Sequence, residues 1–151
     1  MRHGFRMSVG AHADGVGKLN AAFAGFAETH ALPDAVRRSV NVALDELLAN
    51  ELSHGMADRD AGSAKVEVQV QLDEERLTVT ITDDGPGFDP FGQAEPDTTL
   101  SVEEREIGGL GIHLVRKLMD EVSYERRDGK NVVVLVKQLV VAEEKNLREE
   151  S

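Results

Sequence analysis

Three short groups of residues stand out for the chemistry that their types and spacing allow. The first is Glu46-Leu47-Leu48-Ala49-Asn50. A spacing of four puts Glu46 and Asn50 on one face of a helix. Asn50 offers a neutral oxygen suited to Mg²⁺, and Glu46 a carboxylate able to take a proton from a hydroxyl. On its own such a pair is commonplace on a solvated helix edge. The second group is Asp83-Asp84-Gly85-Pro86-Gly87-Phe88. Asp83 continues the odd-numbered apolar series Leu77, Val79, Ile81, so it points to the buried face, where a carboxylate is costly unless something donates to it. An adenine amino group is a suitable donor, and Gly85 and Gly87 allow the backbone to turn and approach a flat base closely. Without the inward phase of Asp83, this stretch reads as a plain turn. The third group is Gly108-Gly109-Leu110-Gly111-Ile112. At a helix start, its free N–H groups and the helix dipole favour an anion such as phosphate. It is neither a Walker A loop, which needs Gly-Lys-Ser/Thr, nor a dinucleotide fingerprint, which follows directly on a strand.

The elements that would position these groups follow from periodicity. Residues 6–11 suit a short edge strand. Residues 13–29 read as a helix, with Val16, Leu19, Phe23 and Phe26 at helical spacing. Leu32-Pro33-Asp34 breaks the chain and Pro33 suits a helix start. The strongest helix runs over 34–56, where Val36, Val40, Ala43, Leu44 and Leu47 form one apolar arc. Glu46 and Asn50 flank that arc, at the rim of a core, whereas Glu51 falls within it. Two alternating runs, 66–72 and 77–81, then form a hairpin with one buried face. Residues 84–107 hold three of the four prolines and show no period; so long a loop in a small domain is typically either functional or disordered. A helix over 109–120 places Ile112, Val115, Leu118 and Met119 inward, and strands over 122–126 and 131–139 flank Asp128-Gly129. The expected fold is α+β, a two-layer sandwich with a mixed or antiparallel sheet and helices on one face. One domain is expected over 1–142, with a charged tail over 143–151.

Bulk composition narrows the partners. The chain has 151 residues and a formal net charge of -11, so it repels nucleic-acid phosphates and direct DNA or RNA binding is not expected. An acidic protein that holds a triphosphate must do so locally, with a divalent cation and backbone N–H groups. There are no cysteines, which excludes disulfides and thiolate metal sites. The five histidines lack ligand spacing and read as structural or surface residues. No apolar run reaches the ~18 residues of a membrane span, and the first residues lack a secretory signal. Cytoplasmic location, with no membrane association, is the expectation.

Taken together and in this order, the three groups resemble the GHKL superfamily. Its ATP site combines an N box, a first glycine box, a mobile lid and a second glycine box. Glu46 and Asn50 match the N box, Asp83-Asp84-Gly85-Pro86-Gly87 the Asp-x-Gly-x-Gly box, and Gly109-Leu110-Gly111 the Gly-x-Gly box. The resemblance spans residues 8–139 and implies the Bergerat fold, ATP and Mg²⁺ as ligands, and a lid over 89–108. The stand-alone size, with the tract GGLGIHLVRKLMDEVSYER, is similar to the anti-sigma serine/threonine kinases of the RsbW type. That likeness implies Glu46 as general base, Asn50 as Mg²⁺ ligand and Asp83 as reader of adenine. Gly85, Gly87, Gly108, Gly109, Leu110 and Gly111 would line the nucleotide. Arg105 is the candidate lid arginine, two positions ahead of the family's usual register, and the strand from Asn131 lacks the threonine that commonly helps hold adenine. The implied activity is phosphorylation of a serine on an anti-anti-sigma (STAS-domain) partner. A sigma factor, a PP2C-type phosphatase and a second copy of the chain are further implied partners. The alternative is a non-catalytic, nucleotide-gated module that sequesters a sigma factor or another regulator.

Overall fold

Valine–polar alternation between residues 65 and 83 builds the centre of the sheet. In the computed structural model, which describes residues 3–10, 13–50, 65–85, 89–92 and 109–139, these residues form strands β2 (Lys65–Leu72) and β3 (Arg76–Asp83). They pair antiparallel with Val66 opposite Asp83 and Leu72 opposite Leu77. Asp73 shapes the turn between them: its Oδ1 accepts from the Glu75 and Arg76 amides at 2.8 and 2.9 Å. Strands β4 (Glu121–Arg127) and β5 (Lys130–Gln138) form the second hairpin. Asp128 and Gly129 both take positive φ (52° and 76°), the backbone of the two-residue turn that matches strand twist.

Strand β1 (His3–Gly10) completes a five-stranded, wholly antiparallel sheet in the order β1-β2-β3-β5-β4. β1 begins earlier than its own alternation suggests because it pairs along all of β2, from His3 opposite Leu72 to Gly10 opposite Lys65. Each inner strand turns one residue set inward. Val66, Val68, Val70 and Leu72, then Leu77, Val79 and Ile81, are buried, whereas Thr78, Thr80 and Thr82 are half-buried on the other face.

Helices α1 (Ala13–Thr29), α2 (Asp34–Asn50) and α3 (Gly109–Leu118) supply most of the remaining core, to which Val9, Phe91, Val133 and Leu135 also contribute. The apolar arc expected on α2 is buried throughout, from Val36 and Val40 to Ala43, Leu44 and Leu47. Residues 51–56, the expected last turns of that helix, lie outside the described residues. α2 begins at Asp34, as expected, and the Pro33 carbonyl accepts its first bond, from the Arg37 amide at 3.0 Å. α3 packs against α2, and its end is tied to β5: the Asp120 amide donates to the Val136 carbonyl at 2.9 Å, and Lys137 Nζ to the Leu118 carbonyl at 2.7 Å. No helix among the described residues is long and apolar enough to cross a membrane. The tail over 143–151 lies outside the described residues.

The end of α1 is closed by a Schellman motif built on a non-glycine residue. The Leu32 amide donates to the Ala27 carbonyl at 2.9 Å and the Ala31 amide to the Glu28 carbonyl at 3.2 Å, with Ala31 at φ 51°. Leu32 and Ala27 are both buried, which adds the apolar contact typical of this cap. The left-handed conformation costs an alanine roughly 1–2 kcal/mol. Glycine avoids that strain but has about 0.4–1 kcal/mol more unfolded-chain entropy to lose. Ala31→Gly is therefore expected to stabilise the fold by about 0.5–1 kcal/mol, measured as a higher midpoint of urea unfolding with unchanged slope. Beside this cap the His30 ring lies 4.6 Å from His3 and 4.5 Å from Phe26, so these two histidines are structural, packing β1 onto α1.

Candidate functional site

Asp83 ends β3 with its side chain on the buried face, 3% exposed, as its phase in the strand requires. Its Oδ1 accepts from the Gly85 amide at 2.8 Å and from Asn131 Nδ2 at 2.9 Å. Two donors on one oxygen offset much of the cost of burying the carboxylate. No described residue donates to Oδ2, so one edge of a buried acceptor stays available for a ligand's N–H. An adenine amino group fits this donor–acceptor pattern, and a carbonyl in its place does not.

Asn131 is the residue that sequence reasoning missed. It starts the inward series Asn131, Val133, Leu135 on β5, and it sits directly opposite Asp83 in the register. That polar residue in an otherwise apolar inward series was the available signal, the same one that marked Asp83. Asn131 is 2% exposed, and Tyr124 Oη and Arg126 Nη1, both from edge strand β4, donate to its Oδ1 at 2.5 and 3.1 Å. Arg126 Nη1 also donates to the Gly85 carbonyl at 2.8 Å. The turn after β3 is thus held on both sides: Gly85 N–H by Asp83, and Gly85 C=O by Arg126.

Glu46 is half-buried on α2, beside the buried Leu47 and Leu48, where the helical wheel puts the rim of the core. Among the described residues its carboxylate has no hydrogen-bond or ion-pair partner. A partly desolvated carboxylate with no competing donor suits a proton acceptor. Its neighbour Asp45 is engaged differently, accepting from Asn20 Nδ2 at 3.0 Å and tying α1 to α2. Asn50 is the last residue of α2, and its side chain lies outside the described residues.

The second glycine group falls where expected, with Gly109, Leu110 and Gly111 as the first turn of α3. The first N–H groups of a helix have no carbonyl partner within it, so this turn can present donors to phosphate oxygens. Gly108, Gly87 and Arg105 lie outside the described residues. The loop that joins the two glycine groups is anchored near its start. Asp89 Oδ1 accepts from the Phe91 amide at 2.8 Å, capping the 3₁₀ turn Pro90–Gly92. Arg116 of α3 donates to the Phe91 carbonyl, with its guanidinium 5.6 Å from the centre of the buried Phe91 ring. The structure therefore gathers Asp83, Gly85, Asn131, Tyr124 and Arg126 into one network. Glu46 stands on a separate helix and shares no hydrogen bond with that network.

Comparison with known proteins shows the family of the chain. The family model for the histidine kinase-like ATPase domain matches residues 9–137. Among curated relatives, the serine-protein kinase RsbW of Bacillus pumilus is 28% identical over 133 residues, covering 85% of this chain and 82% of that protein. The serine/threonine-protein kinase BtrW of Bordetella bronchiseptica is 29% identical over 100 residues, covering 66% and 69%. An anti-sigma F factor of Clostridium beijerinckii is 31% identical over 105 residues, covering 68% and 72%. Among solved structures, the RsbU and RsbW domains of a Mycobacterium tuberculosis protein superpose with a TM-score of 0.61 at 13% identity. That match covers 91% of this chain and 32% of the other, and it bears on the fold alone.

Proposed function

The chain belongs to the histidine kinase-like ATPase domain family, and from that membership we propose that it binds Mg-ATP and phosphorylates a serine or threonine of an anti-anti-sigma (STAS-domain) partner. The observation that carries the ATP reading is Asp83: a buried carboxylate with one oxygen held by two donors and the other open to a base amine. Bound ATP would supply an activated γ-phosphoryl group. Around it, Asp83 would accept from the adenine amine, the first turn of α3 would donate to phosphate oxygens, and Asn50 would offer its oxygen to Mg²⁺. Glu46 would take the proton of the partner's hydroxyl as that oxygen bonds to the γ-phosphorus and the bond from phosphorus to the ADP oxygen breaks, releasing ADP; its half-buried carboxylate, without a partner among the described residues, supports that role. Arg105 remains the candidate lid arginine for charge on the γ-phosphate.

Similarity to the anti-sigma F factor supports a second property of the same chain, the binding of a sigma factor. A PP2C-type phosphatase and a second copy of the chain are proposed as further partners. Incubation with γ-labelled ATP, Mg²⁺ and a STAS-domain protein is expected to label the STAS protein on one hydroxyl residue, located by mass spectrometry. ATP-dependent complex formation with no label would instead favour the nucleotide-gated binding module, which the early register of Arg105 also favours.

A further inference from the structure

We propose that Tyr124 and Arg126 of the edge strand set the base selectivity of the site, acting through Asn131 as positioning residues for Asp83. The inference rests on the reading of Asp83 as the group that meets the base. Arginine only donates and an ionised carboxylate only accepts, so the Asn131 amide has a single consistent orientation. Its Oδ1 faces Tyr124 Oη and Arg126 Nη1, at 2.5 and 3.1 Å, and its Nδ2 faces Asp83 Oδ1 at 2.9 Å. An amide pinned in this way cannot turn an acceptor toward Asp83. A hydroxyl at the same place rotates and can present either a donor or an acceptor.

The consequence is carried to the ligand edge. With Oδ1 claimed by Asn131 and by the Gly85 amide, the carboxylate is held with Oδ2 outward. Oδ2 pairs with a purine bearing a 6-amino group and repels one bearing a 6-oxo group. Arg126 adds a second constraint, because the same Nη1 holds the Gly85 carbonyl at 2.8 Å and so helps fix the residue whose own N–H donates to Asp83. Arg126 is itself exposed, so the device lies where a change on the edge strand reaches the buried carboxylate without altering the core.

The test is calorimetric binding of Mg-ATP and Mg-ITP, the latter carrying a 6-oxo base, to the whole chain and to Tyr124→Phe, Arg126→Gln, Asn131→Val and Asn131→Thr, with melting curves to verify folding. The wild-type chain is expected to favour ATP. Loss of a hydrogen bond to a charged group predicts that Asn131→Val lowers the ATP/ITP affinity ratio about 10-fold. Tyr124→Phe and Arg126→Gln should lower it by smaller factors, and Asn131→Thr should recover part of it. Parallel loss of both affinities at an unchanged ratio, in folded variants, would overturn the proposal, since a merely structural network has no reason to sense the base. If Asn131→Val does not fold, Tyr124→Phe and Arg126→Gln decide by the same ratio. A wild-type chain that binds both nucleotides equally, or neither, removes the Asp83 reading itself and this inference with it.

Discussion

Replacing Asp83 by Asn is expected to weaken Mg-ATP binding by about 100-fold or more while the sheet remains folded. The replacement keeps one acceptor oxygen, and two fixed donors compete for it: the Gly85 amide at 2.8 Å and Asn131 Nδ2 at 2.9 Å. With its oxygen turned to them, the new side chain points its NH₂ at the ligand. Donor then meets donor at the adenine amine, and a charged hydrogen bond of about 1.5–3 kcal/mol becomes an unsatisfied contact that costs a further 1–3 kcal/mol. The same geometry predicts that ITP, whose 6-oxo group accepts, loses much less or gains. Calorimetric titration with both nucleotides measures this. Unchanged ATP affinity in the folded variant would mean that Asp83 does not meet the base.

Glu46→Gln is the second large expected effect. It should lower the single-turnover rate of phosphoryl transfer to a STAS-domain partner by about 10²–10⁴-fold, the usual contribution of a positioned general base. ATP affinity should stay within a few-fold of wild type, because Glu46 shares no hydrogen bond with the network around Asp83. The substitution preserves size and removes only the charge and proton affinity. A half-buried side chain without a partner among the described residues accommodates that change. Equal transfer by wild type and variant, with label on the same residue, would rule out Glu46 as the base and leave the ATP site standing.

The two sites differ in how far the residues alone reveal them. Asp83 is legible because β-strand alternation is strict: three inward aliphatics ahead of it determine which way its carboxylate faces. The α2 arc is legible for the same kind of reason, since helical spacing places Val36, Val40, Ala43, Leu44 and Leu47 together and Glu46 at their margin. The glycine run is also placed correctly at the start of α3. Asn131 is less legible, although its phase carries the same information, because it stands at the start of β5 with no inward series ahead of it to set its direction.

By itself, then, the sequence determined the elements, their buried faces, the inward carboxylate and the three groups that identify the family. Each is a local property, set by the two backbone periods and by glycine's freedom at turns. Tertiary structure alone decided which residues hold Asp83. The pairing of β3 with β5, between residues 48 positions apart, puts Asn131 beside it. The pairing of β4 with β5 then brings Tyr124 and Arg126 onto Asn131, and the fold carries Arg126 to the Gly85 carbonyl 41 positions away. No local period encodes such partners. They come from the order of strands in the sheet, which the burial of all the apolar faces settles together.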